Sequence, residues 1–250
     1  MKKILLILSL LISSAAMAQK SEGVVTYVRK EHWLKIMSRL TFLSQEQKDR
    51  MTNTFKNFVE NNKGVKMKLS FSPTESLYTR NSDEPEEGGY SWRESEFNLY
   101  RNFEKDKKID VIEMLGKTYI VDDSLHAPVW KIGNQIKEVA GYICMRADTE
   151  DPVKKHKITA WFAQDIPVSA GPERVNGLPG LILELDVNEG DVVIEAVSVA
   201  FRPLTPTDLK LPKLKGKKIN DAAYDGLIRQ RIAESVASQS NPYGWGGIRY

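Results

Sequence analysis

The sequence predicts a mainly β protein of the α+β class, a large antiparallel meander accompanied by two amphipathic helices. Three observations carry this. Short runs rich in β-branched and aromatic residues recur from Gly23 to Phe201, and breaks containing glycine, asparagine or proline separate them. Apolar residues at helical spacing gather in two capped stretches, near 44–61 and 220–238.

The chain has 250 residues. Its first 18 read as a cleavable export signal: Lys2 and Lys3, an apolar run from Ile4 to Ile12, then small residues ending in Ala16, Met17 and Ala18, with cleavage expected before Gln19. That run is shorter than the ~20 apolar residues that span a bilayer. No cysteine stands at the cut, so lipid attachment there is not expected and no transmembrane segment should remain after removal. Residues 19–250 are then expected to form one soluble domain.

Gly23 to Arg29 reads as a first strand through Val24, Val25, Thr26, Tyr27 and Val28. Ser44 and Gln47 have the spacing of a capping box at the start of the first helix, whose apolar face would hold Met51, Phe55, Phe58 and Val59. Val65 to Phe71 alternates Val65, Met67, Leu69 and Phe71 with Lys66 and Lys68, the period of a strand with one wet face. Asn81 to Gly89 reads as a loop, in which Asp83, Glu84, Glu86 and Glu87 lack the spacing of a calcium site.

Strands follow at Leu99–Phe103, Ile109–Leu115 and Thr118–Val121, with Gly116 expected as the first central residue of a hairpin turn with Lys117. Others are expected at Trp130–Ile132, Gly141–Ala147, Ile158–Phe162, Leu181–Val187 and Val192–Phe201, the last pair joined through Asn188 to Asp191. Pro203, Pro206 and Pro212 then interrupt regular structure in a connection over 202–218, where lysines gather from Lys210 to Lys218. Asn220 caps the second helix, with Tyr224, Leu227, Ile228, Ile232 and Val236 as its stripe and Asn241 and Pro242 as its stop. The tail from Tyr243 to Tyr250 is too apolar for a solitary surface and should dock on the domain or on a partner.

The same residues limit the chemistry. Without Lys2 and Lys3, 34 of the 36 basic residues face 33 acidic ones, a balance that argues against a nucleic-acid partner. Cys144 is the only cysteine, so no internal disulfide can form, and its apolar setting from Tyr142 to Met145 favours burial over nucleophilic or metal chemistry. His32, His126 and His156 are too dispersed to make a zinc pair. Ser169 lacks the flanking glycines of a nucleophile elbow. Asp122 and Asp123 would point to opposite faces of a strand, and Gly88 and Gly89 carry no phosphate-loop pattern. No catalytic, cofactor or metal residue is therefore assigned.

From Gly171 to Leu183, glycines and prolines impose a fixed backbone path that feeds a strand. Leu178, Leu181, Leu183 and Leu185 would plug it into the core; a binding loop is the alternative. This stretch and its surroundings resemble the GLPGLI family of exported proteins from Gram-negative bacteria. The resemblance spans Trp130 to Leu185. It rests on Trp130 with Ile132, on Gly141, Tyr142, Cys144 and Ala147, on Ala160, Trp161, Phe162, Ile166 and Pro167, and on Gly171 and Pro172. The run Gly177, Leu178, Pro179, Gly180, Leu181 and Ile182 completes it.

The resemblance implies a periplasmic, outer-membrane-associated or secreted protein without assigned catalytic residues. By analogy of layout the meander would be half-barrel-like, similar to carriers that shuttle lipoproteins. The leading expectation is an accessory module that binds an outer-membrane or secreted protein through a sheet edge, the basic segment or the tail. The alternative is a carrier of a lipid or other apolar ligand, lined by Trp92, Trp130, Trp161 and Phe162. A hydrolase ranks last.

Overall fold

Alternation along the first strand sends Val25, Tyr27 and Arg29 to one buried face, and this strand becomes the centre of the molecule. The structure, a computed structural model, describes residues 21–60, 63–81, 96–243 and 248–250. In chain order it contains β1 (Gly23–Glu31), α1 (Trp33–Ser38), α2 (Gln45–Glu60), β2 (Val65–Phe71), β3 (Glu75–Arg80), β4 (Phe97–Asn102) and β5 (Lys107–Met114). There follow β6 (Lys117–Ser124), β7 (Lys131–Val139), β8 (Tyr142–Glu150), β9 (Lys157–Ala163), β10 (Leu181–Val187), β11 (Val192–Phe201), β12 (Lys217–Ile219) and α3 (Asp221–Ala237).

Among the described residues all 12 strands share one open sheet in the order β12-β6-β5-β4-β3-β2-β1-β11-β10-β9-β8-β7. Two antiparallel meanders thus meet at β1, and the fold is mainly β. The exception to antiparallel pairing is β12, which lies parallel to β6.

The two meanders differ in what they bury. Across β1 to β6 one register row reads Val25, Leu69, Tyr78, Leu99, Asp110 and Val121, placing a fully buried carboxylate among apolar side chains. The adjacent row carries Phe71, Ser76, Arg101, Lys108 and Asp123, which sets two cations beside Asp110. In the other meander one row is Ile194, Leu185, Ala160 and Ala147, all buried and apolar, and it meets β1 at Arg29.

Several expectations need correction. The β5–β6 turn occupies Leu115 and Gly116, both at positive φ (53° and 70°), with Met114 facing Lys117; it lies one residue ahead of the expected Gly116–Lys117 turn. Positive φ at both central residues is the twist-matching hairpin geometry, and glycine fills its second position. Ala140 and Gly141 (50° and 83°) repeat it between β7 and β8, so Gly141 belongs to a turn and not to a strand. The expected pair of helices is joined by a third, α1.

β3 and β12 are strands where none is expected from the sequence. β3 has few β-branched residues, and β12 begins only after the last proline of the connection. On α3, Tyr224 and Ile228 are buried, but Val236 is 60% exposed while Ser235 is covered. That helix stops at Ala237, with Gln239 at φ 51°, before Asn241 and Pro242 are reached. The Ser44–Gln47 capping box is formed at 2.8 and 3.2 Å. The acidic loop with Asp83, Glu84, Glu86 and Glu87, Trp92, and the side chains of Phe58 and Val59 lie outside the described residues.

Candidate functional site

Between β9 and β10 the chain runs from residue 164 to residue 180 without regular structure, yet Ile166, Val168, Ala170 and Leu178 are each at most 2% exposed. Apolar side chains packed this deeply let an irregular path act as core. Steric closeness fixes the glycines. A Cβ on Gly180 would lie 2.3 Å from the Ala163 carbonyl oxygen, and one on Gly177, at φ +94°, would lie 2.4 Å from the Ala127 Cβ. The backbone is anchored from both sides: Tyr27 donates its hydroxyl to the Ile182 carbonyl at 2.7 Å, and Trp130 donates Nε1 to the Asn176 carbonyl at 2.8 Å.

Within this apolar path sit two consecutive charges. Glu173, at φ 57°, accepts a fork from Arg249 (Nη2 at 2.6 Å, Nε at 2.8 Å) and a further bond from Arg29 Nε at 3.2 Å. Burial alone would raise the Glu173 carboxyl, but the guanidinium groups of Arg249 and Arg29 overcome it and hold the group below its ordinary value. Arg174 turns the other way, pairing with Asp110 at 3.1 Å and Asp221 at 2.6 Å, with its guanidinium 4.9 Å from the Tyr224 ring centre. Asp110 is likewise pushed up by burial and pulled down further by Arg101, Arg174 and Lys108. Lys108 reaches Asp221 at 2.5 Å, so strand, loop and α3 share one ionic network.

The tail closes over the Glu173 side. Arg249 stacks its guanidinium 3.8 Å from the Phe97 ring centre, and Lys154 donates to its carbonyl at 2.8 Å. Tyr250 lies flat on His156 at 4.2 Å and donates to Asp191 Oδ2 at 2.5 Å. Burial and the neighbouring Lys154 push the His156 imidazole down to about 4, and burial brings Lys154 itself down to about 8. Of the two dockings open to the tail, the described residues show contact with the domain itself.

The residues singled out from sequence are dispersed. Cys144 is fully buried, its thiol pushed up to about 11 by burial. Phe162 lies in the core, Trp161 sits under Lys137 Nζ at 4.6 Å, and Tyr142 meets Phe201 edge-on at 6.4 Å. Pro167, Gly171 and Pro172 shape the path before Glu173, and Ile182 packs against Gly171. Ser169 Oγ accepts a bond from the Gly177 amide at 3.0 Å, a structural bond within the loop. Asp110, Glu173, Arg174, Asp191 and His156 were not foreseen as a cluster. The one available signal was Glu173–Arg174, a charged pair inside an otherwise apolar, proline-bounded run.

Chemically, these ionisable groups are engaged with one another. Among the described residues no group of three His, Cys, Asp or Glu side chains is disposed to hold a metal ion, and no helix is long and apolar enough to cross a membrane. Exposed apolar side chains gather around the edge of β7, which no second described strand pairs (Val129 91%, Ile136 66%, Ile143 58% and Ile132 49% exposed), and others stand at Phe55, Leu115, Val197, Leu214 and Val236.

A family model described as a protein of unknown function, Porph_ging, matches residues 148–184, from β8 through the loop into β10. No curated protein matches the sequence. Two solved structures described as PNGF-II, in P21 and C2 space groups, are similar to the chain, with TM-scores of 0.55 and 0.53 at 14% and 15% identity. Each match covers 83% of this chain but only 33% and 32% of the other, so this chain spans about a third of that protein's length. At that identity the likeness is one of fold.

Proposed function

We propose that the chain is an exported, non-enzymatic binding module of the cell envelope, of the GLPGLI type, and that it takes an extended segment of an outer-membrane or secreted protein along β7. The observation that carries this is the free β7 edge with Val129, Ile132 and Ile136 exposed beside it. An unpaired strand edge offers a row of backbone donors and acceptors that another strand satisfies, with side chains giving selectivity. The two competing surfaces offer less. The tail is seated on the domain, and the basic segment ends in β12, an edge strand of three residues against the nine of β7, so β7 offers the longer ladder. The apolar-carrier reading has less support, since Phe162 is core and Trp130 is bonded to the loop backbone.

A photo-crosslinking residue at Ile136, introduced in cells, tests the proposal, with Val197 as a comparably exposed control at 55%. The expected result is one discrete adduct from position 136, absent from position 197 and competed away by an excess of the crosslinked partner's own segment as a free peptide. Equal crosslinking at both positions would refute it. Export is tested separately: the mature protein recovered from the envelope should begin at Gln19.

A further inference from the structure

The tail contact reads as a ligand in a built site, on a surface separate from β7. We propose that Glu173, Phe97, His156 and Asp191 form a recognition socket for an arginine–tyrosine segment. The chain's own Arg249 and Tyr250 fill it in cis, and it opens to such a segment from a partner when the tail leaves.

The chemistry specifies the occupant. A carboxylate receiving both Nε and Nη2, at 2.8 and 2.6 Å, selects guanidinium over ammonium, because only arginine presents that planar fork. The Phe97 face 3.8 Å from the guanidinium carbon adds a cation–π surface. The next residue must be a phenol, since the ring stacks on His156 at 4.2 Å while its hydroxyl donates to Asp191 and accepts from Asn188 Nδ2 at 2.9 Å. Asp191 is fully buried, and its Oδ2 also receives Arg39 Nε at 2.6 Å, whereas Oδ1 has no hydrogen-bond partner. Buried acceptors are almost always satisfied, so an unspent oxygen in this wall is capacity that a different occupant can use.

The tail is also separable from the sheet. Among its described residues the backbone bonds are Tyr243 N–H to Asn241 Oδ1 at 2.9 Å, Ile248 N–H to the Pro242 carbonyl at 3.1 Å and the Lys154 bond to the Arg249 carbonyl; none belongs to a strand ladder. Undocking would leave the strand ladders intact while uncovering Ile248 and Tyr250, which are 3% and 9% exposed in the docked tail, and it would leave Glu173 with Arg29 as its remaining guanidinium partner.

Two measurements test this. Native-state hydrogen exchange on the wild-type protein should show the Ile248 amide opening at least ~100-fold more often than amides of β10 and β11. In parallel, a fluorescent peptide copying residues 243–250 is titrated into the full chain carrying Arg249→Ala and Tyr250→Ala. Binding should saturate and be at least ~10-fold tighter than to wild type, whose own tail competes at high effective concentration. A peptide with Arg249→Ala should lose at least ~10-fold in affinity. Ile248 exchanging only with the core, a folded double variant that ignores the peptide, or equal binding to both proteins would overturn the proposal. If the double variant fails to fold, the exchange measurement on wild type still decides.

Discussion

Glu173 and Arg174 are neighbours in sequence, yet they anchor different kinds of structure. Arg174 joins β5 to α3 through Asp110 and Asp221, two regular elements that cannot move apart without breaking the fold. Glu173 joins β1 to the tail through Arg29 and Arg249, and one of those partners can leave. A buried ion pair offsets its desolvation only while both members stay in place. The Asp110 network is therefore obligatory, whereas the Glu173 network has a way to relax.

That difference is broken most severely at Asp110. Asp110→Ala leaves Arg101, nearly covered, without its buried counter-charge, while Lys108 and Arg174 keep Asp221. It should cost about 3–5 kcal/mol in urea unfolding, the usual loss when one member of a buried pair is removed. A loss under about 1 kcal/mol would show that water reaches this network and that its burial carries no energetic weight.

Next in size is the acid response of the tail side. His156 faces Lys154, Asp151, Asp191 and Arg39, with Tyr243 and Tyr250 against its ring. Its folded value of about 4 lies below the ordinary 6.5, so between those limits the unfolded chain binds more protons. The sign follows: stability is full above the ordinary value and is lost as pH falls toward 4, by up to about 3 kcal/mol. His156→Phe should flatten that window while leaving the steeper loss at lower pH, where Glu173 and Asp110 take up protons. An unchanged slope in the variant would mean that the stacked imidazole does not govern it.

A smaller effect separates the two networks directly. In Glu173→Ala, Arg29 keeps Glu31 as a partner and Arg249 can reach water with the tail, so the loss should stay near 2 kcal/mol. The Ile248 amide should lose its protection in this variant and keep it in Arg174→Ala. Equal deprotection in both would erase the distinction.

The sequence made the sheet legible because strand alternation and helix caps are local: β1, β2, β10 and β11, and the capping box at Ser44, all follow from residues within one turn or one strand. The register did not follow, and register is what brings Arg101, Lys108 and Asp110 together from two strands. Nor could spacing show that Arg249 reaches back to Glu173, since long-range pairing leaves no local signature. The loop glycines were readable as backbone devices, while the sequence assigned no role to the charges between them, Glu173 and Arg174. The β5–β6 turn shifted by a residue to Leu115, and Gly141 proved to be a turn residue after Ala140 instead of the start of a strand, because an ordinary side chain can take the first positive-φ position when glycine follows it.

The finest test of the contrast is Ser169, which touches neither charge but braces the loop that presents both. Its Oγ accepts the Gly177 amide at 3.0 Å, and Gly177 itself is exposed, so water can take over part of that bond. Ser169→Ala should therefore cost only about 1 kcal/mol, the net worth of one such bond. Because the Glu173 side can relax and the Arg174 side cannot, the residual slack should appear in the tail. Protection of Ile248 should fall severalfold more than that of the α3 amides. If instead α3 loosens first, the bracing runs through Arg174, and the obligatory network is the weaker of the two.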